Sequence, residues 1–145
     1  MISRFRPASD GRALNIVMGA KAASTVITAD SLLTRNASGL LIPAVTASTN
    51  IAGVALERVA ATDPDYAATS EIQMDFPMAD DEFIVDVDDA ATAGFVAGVR
   101  RAILNANTVK AAADAGARNF IVVRRVMVAD NQAIVSVVTN PNSNG

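Results

Sequence analysis

The chain has 145 residues, a formal net charge of −3 and 51% hydrophobic residues, with 29 Ala and 17 Val but only five Phe, one Tyr and no Trp. Cys and His are absent. Their absence excludes a disulfide framework, a Cys or His metal site and any Ser-His-Asp or Cys-His nucleophile, and leaves acid–base work to Asp, Glu, Lys or Tyr.

Residues 1–12 read as an extended N-terminal arm, with Arg4, Phe5, Arg6, Pro7 and Arg12 in a stretch of little periodicity. No uninterrupted apolar core follows its first basic residues, so a signal peptide is not expected. Residues 13–138 are expected to form a single β-rich domain, and residues 139–145 a polar tail. Residues 13–19 and 24–29 read as short strands. Asn36-Ala37-Ser38-Gly39 is a turn signal between Leu32-Leu33 and Leu40-Leu41-Ile42, and Pro43 limits the following strand to an edge or an end. In the apolar run 51–59, Gly53 indicates a close backbone approach or a bulge.

Residues 71–76 alternate, with Ile72, Met74 and Phe76 on one face. Residues 82–88 alternate again, with Phe83, Val85 and Val87 on one face. Asp63-Pro64-Asp65-Tyr66 reads as a loop, and 77–81 as a connection that would make the two alternating runs a hairpin. Gly94 and Gly98 read as backbone constraints around Phe95. Residues 107–115, with four Ala and Gly116 as a cap, read as one short helix. The run Phe120–Val123, Arg124-Arg125, Val126–Val128 is expected to return through a turn at 129–132 along Ala133–Val138. On a regular strand, Arg124 and Arg125 would point to opposite faces. Together these elements predict a mainly β fold: a small β-sandwich or β-barrel-like domain with one short helix and an extended N-terminal arm.

Charge is segregated along the chain. Residues 1–58 carry +3, residues 59–99 carry −10 with no basic residue, and residues 100–145 carry +4. Such an order suits charged partners met at different surfaces. A sequence pI near 4.8 and the lack of a basic stripe with interleaved aromatics argue against direct nucleic-acid contact. No stretch approaches the roughly 18 charge-free apolar residues of a membrane span.

The chemical signals are sparse. The carboxylates Asp80, Asp81, Glu82, Asp86, Asp88 and Asp89 could offer oxygen ligands to calcium, but their spacing lacks the central Gly and terminal Glu of the twelve-residue calcium loop. Paired carboxylates also serve glycoside hydrolysis, for which the chain has few aromatics to form a sugar platform. Lys21 and Lys110 sit in no catalytic motif, and Gly94-x-x-x-Gly98 lacks the Lys and Ser or Thr of a phosphate loop. No enzyme activity, cofactor or metal is therefore expected.

The segments Gly39–Ala44, Asn50–Glu57, Phe83–Val87 and Phe120–Arg125 resemble the head decoration, or capsid cement, proteins of tailed bacteriophages. The resemblance covers roughly residues 25–138 and consists of short β runs around a Gly-Val-Ala-Leu core segment. It implies a structural virion protein on the outer surface of an icosahedral capsid. Such a protein binds the major capsid protein, stabilises the expanded head and self-associates, with a trimer favoured over a monomer or dimer. The residues that would meet the capsid or a partner are Arg4, Phe5, Arg6, Arg12, Asp80, Asp81, Glu82, Arg124 and Arg125. The alternatives are another virion structural protein, such as a tail-tube component or capsid accessory domain, and a calcium-binding module at 80–89. The chain departs from the simplest decoration proteins in its longer acidic segment 63–89 and in the helix expected at 107–115.

Overall fold

A computed structural model of the protein describes residues 5–7 and 14–139. Twelve short strands form two sheets, and the only helical element among these residues is a 3-10 turn at Val128–Asp130. The mainly β sandwich-like or barrel-like fold expected from the sequence is the one observed.

The smaller sheet contains β2 (Ile16–Ala20), β3 (Leu32–Arg35), β4 (Leu41–Pro43), β5 (Gly53–Ala55) and β6 (Glu71–Asp75), in the order β2-β6-β5-β3-β4 and all antiparallel. A parallel bridge between Lys21 and Leu41 brings the two outer strands together at one end, so this sheet curls almost into a barrel. The larger sheet follows β8 (Arg100–Arg101), β11 (Ile121–Met127), β12 (Gln132–Val137), β7 (Phe83–Val87), β10 (Thr108–Val109) and β9 (Ile103–Asn105). One edge of β7 lies along β12. Its other edge is shared: β1 (Arg6–Pro7) takes Phe83 and Ile84, and β10 takes Asp86 and Val87.

Two hydrophobic cores follow from the two-residue period of the strands. In β3, Leu32 packs between the sheets with Phe83, Val85 and Val135, whereas Leu33 packs inside the barrel with Leu41, Ile72 and Met74. In β5, Val54 and Ala55 divide in the same way. Both faces of these strands are buried, which explains their runs of consecutive apolar residues. At Gly53 the space is needed: a Cβ there would lie 2.9 Å from the Met74 Cβ and 3.1 Å from the Asp75 carbonyl oxygen. The close approach expected at this glycine is present.

The turn at Asn36–Gly39 is also as expected, with Gly39 at φ +80°. Pro43 closes β4 rather than limiting a strand that follows it. Gly94 and Gly98 adopt φ +86° and +96° on either side of the buried Phe95. The β11–β12 return forms at the expected place, closed by Asn131 in the left-handed conformation.

Four expectations are corrected. The alternating runs 71–76 and 82–88 do not form a hairpin. β6 buries Ile72 and Met74 in the barrel, β7 buries Phe83, Val85 and Val87 between the sheets, and 76–82 carries the chain from one sheet to the other. Residues 107–115 do not form a helix. Thr108 and Val109 are recruited as β10, Lys110 N–H donates to the Ala102 carbonyl, and Ala111 N–H donates to Asp88 Oδ1. Sheet pairing outcompetes the helix preference of the alanines, which is weak in so short a segment. Gly116 is no helix cap; its N–H donates to Asp114 Oδ1. Residues 24–29 contribute only an isolated bridge, Ile27 to Val59, rather than a strand.

Candidate partner-binding surfaces

The expected contact residues fall in three places. Arg4 and Arg12 lie outside the described residues. Arg6 places its backbone in β1, opposite Ile84. Phe5 is corrected as a contact residue: it is 0% exposed and packs with Phe83 in the core between the sheets. Its N–H donates to the Asp30 carbonyl at 2.6 Å. A large aromatic ring gains more from a closed apolar site than from water, which is why this part of the arm belongs to the body.

Asp80, Asp81 and Glu82 occupy the turn that leads into β7. Asp80 and Glu82 are exposed, while Asp81 Oδ2 accepts from the Met78 N–H at 2.9 Å and shapes the turn. The other acids of this region are also used as acceptors. Asp86 Oδ1 accepts from Gln132 Nε2, Asp88 Oδ1 from the N–H groups of Asp89 and Ala111, Asp89 Oδ1 from Ala91 N–H, and Asp75 Oδ1 from Asn15 N–H. These carboxylates are spread over β6, β7 and separate turns, and among the described residues no group of three or more acids could hold a metal ion.

Arg124 and Arg125 are both exposed, which corrects the expectation of opposite faces. The β11–β12 register shifts between Val123 and Arg125, so Arg124 is the extra residue of a β-bulge, and a bulge breaks the simple alternation. Arg124 Nε donates to Ser136 Oγ at 3.0 Å. Register then joins what the sequence separates. Val135 lies opposite Phe83, so Glu82 and Ser136, the residue that Arg124 holds, each lie one residue beyond that pair. Arg100 pairs with Val122 further along the same outer face. The acidic turn and the basic hairpin, far apart in sequence, therefore border one face of the larger sheet. Arg100, Arg124 and Arg125 lie toward its β8–β11 side and Glu82 and Asp86 toward β7.

The two remaining charged candidates are structural. Lys21 is 0% exposed, and its ammonium donates to the carbonyls of Tyr66 at 2.8 Å, Ala68 at 2.6 Å and Ala22 at 3.3 Å. It ties the 60–70 loop to the end of β2 and is shielded from any substrate. Lys110 forms an ion pair with Asp114 at 2.7 Å. Arg101, next to Arg100, is stitched inward by the carbonyls of Gly94 and Ala111.

One surface escaped the sequence reading. Leu14, Ile16 and Met18 are 43%, 53% and 49% exposed on one face of β2, and Met78, beside Asn15, is 53% exposed. Both faces of β2 carry apolar residues, because Val17 packs against the barrel core, so alternation gave no sign of which face is open. The only signal was the absence of any charge from Leu14 to Ala20.

Compared with known proteins, the chain matches no family model and no curated protein. Among the described residues no helix is long and apolar enough to cross a membrane.

Proposed function

We propose that this protein is a head decoration protein of a tailed bacteriophage, which binds the outer surface of the icosahedral capsid and stabilises the expanded head. One observation carries the reading: the four segments that resemble decoration proteins map onto the packed framework of both sheets. Gly39–Ala44 spans the turn and strand β4, Asn50–Glu57 surrounds β5, Phe83–Val87 is β7, and Phe120–Arg125 enters β11 up to the bulge. The resembling segments thus include strands of both sheets together with the turns and connections that flank them.

The mixed-charge outer face of the larger sheet is the capsid-binding surface in this reading. Apolar and backbone contacts supply affinity, and opposite charges set orientation. Many identical contacts on a lattice then reinforce one another. The test mixes purified protein with expanded capsids that lack decoration, including those of the phage that encodes it. Saturable, stoichiometric binding and a higher disruption temperature of the capsids are expected. The absence of binding to every such capsid would overturn the proposal.

A further inference from the structure

The outer face of the larger sheet has a basic side that the chain itself does not neutralise. Register sets out that side row by row. Arg125, Ile134 and Ile84 are successive partners across β11, β12 and β7, and Arg100, Val122 and Ser136 are successive partners across β8, β11 and β12. Partners across an antiparallel pair share a face. Here it is the face away from the core, because Phe83, Val85, Ile121, Val123 and Val135 fill the other. The bond from Arg124 Nε to Ser136 Oγ brings a third guanidinium to the second row. Three arginines thus border a floor of half-buried Ile84, Val122 and Ile134.

Other cations of the chain find their acceptors within it. Carbonyls hold Lys21, Arg35 and Arg101, and Asp114 holds Lys110. Among the described residues, Arg100, Arg124 and Arg125 form no ion pair, and Arg100 Nε is buried with no hydrogen-bond partner. Asp86, a carboxylate on the same face, is two strands from β11 and accepts from Gln132 Nε2. A buried donor on a charged group is costly while it lacks an acceptor. A guanidinium matches a carboxylate with two parallel hydrogen bonds, and arginines around an apolar floor are typical of the centre of a protein interface.

We propose that this basic side of the larger sheet takes an acidic segment of the capsid protein. Its carboxylates engage Arg124 and Arg125 and, with a turn of the Arg100 side chain, supply the acceptor that Arg100 lacks. Its apolar side chains rest on Ile84, Val122 and Ile134. The capsid protein as the source of the carboxylates rests on the decoration reading; the preference for carboxylates rests on the arginines alone. With a net charge of −3 and ten acids between residues 59 and 99, the molecule as a whole repels a polyanion, so any attraction of one is local.

Fluorescence anisotropy with a labelled hexaglutamate peptide at low salt tests the site, and binding to undecorated expanded capsids tests the partner. The full chain should bind the peptide, release it as salt is added, and lose about fivefold or more in affinity in Arg124→Gln and in Arg125→Gln. Both positions are exposed, so circular dichroism should show both variants folded. Arg58→Gln removes the same charge from an exposed position beside the Val59 bridge of the smaller sheet and should bind like the unaltered chain. Capsid binding should follow the same order. No peptide binding, an equal loss in Arg58→Gln, or capsid binding indifferent to both Arg124→Gln and Arg125→Gln would overturn the inference. Salt-sensitive self-association that Arg124→Gln abolishes would overturn it too, by giving the face to the acids of a second copy. Peptide binding in the expected order without binding to any capsid would uphold the carboxylate site and overturn the decoration reading.

Discussion

Phe5 and Phe83 meet edge to face, with ring centroids 6.4 Å apart and planes at 69°, and both rings are fully buried. The contact sits beside the pairing of Arg6 with Ile84 and Pro7 with Phe83, so the arm and β7 are joined by backbone and side chain together. Phe5→Ala should cost about 3–5 kcal/mol of stability. Urea denaturation followed by circular dichroism would measure it. A loss below 1 kcal/mol would mean that the ring is not part of the core. Truncation studies of the arm should therefore stop before Phe5, since a longer deletion lowers stability and partner binding together.

Lys21 carries its charge into the interior with three carbonyl partners. Lys21→Met preserves most of the volume but takes the lysine donor from the Ala68 carbonyl and leaves the Tyr66 carbonyl with the Ser24 N–H alone, a loss of about 1–3 kcal/mol. Hydrogen exchange should quicken first in the 60–70 loop. Unchanged exchange there would show that the lysine does not anchor it.

Gly53 and Gly39 should respond oppositely to substitution. Gly53→Ala forces a Cβ against Met74 and the backbone of Asp75 and should destabilise by about 1–3 kcal/mol. Gly39→Asn meets open space and needs only the left-handed conformation, which Asn tolerates, so its cost should stay within about 0.5 kcal/mol. Thermal melts of the two variants would compare them directly.

Asp114 is held below the ordinary aspartate value by its hydrogen bond from Lys110, then by the Gly116 N–H and the Lys110 charge. A carboxylate with a lowered folded-state pKa contributes stability that is present above its ordinary value and lost as pH falls through its folded value. The Lys110–Asp114 link should therefore hold at neutral pH and weaken only in acid, below the usual aspartate range. Lys110→Met should move the Asp114 titration, followed by NMR, upward toward the ordinary value. An unmoved titration would exclude the ion pair as its main cause.

The strand content was legible because alternation and turn chemistry are local. Ile72 and Met74, Phe83 and Val85, and the Asn36–Gly39 turn each state their own conformation within a few residues. Partner choice was not legible, since one apolar face fits any complementary apolar face. Hence β6 and β7, adjacent in sequence and alike in pattern, entered different sheets. The helix expected at 107–115 failed for the related reason that β7 and Asp88 take backbone donors that a helix would have used.

The candidate surfaces divide in the same way. Sequence alone established which residues are charged, the order of charge along the chain, and the absence of Cys and His chemistry. Tertiary structure decided where those charges lie. The Val123–Arg125 bulge turned both arginines outward, register brought the end of β7 that follows Glu82 against the strand that carries the Arg124 partner Ser136, and Phe5 became core rather than contact. Among the described residues it also left β2 without a strand partner on one side from Leu14 to Met18, because pairing is a relation between distant strands that no strand declares by itself.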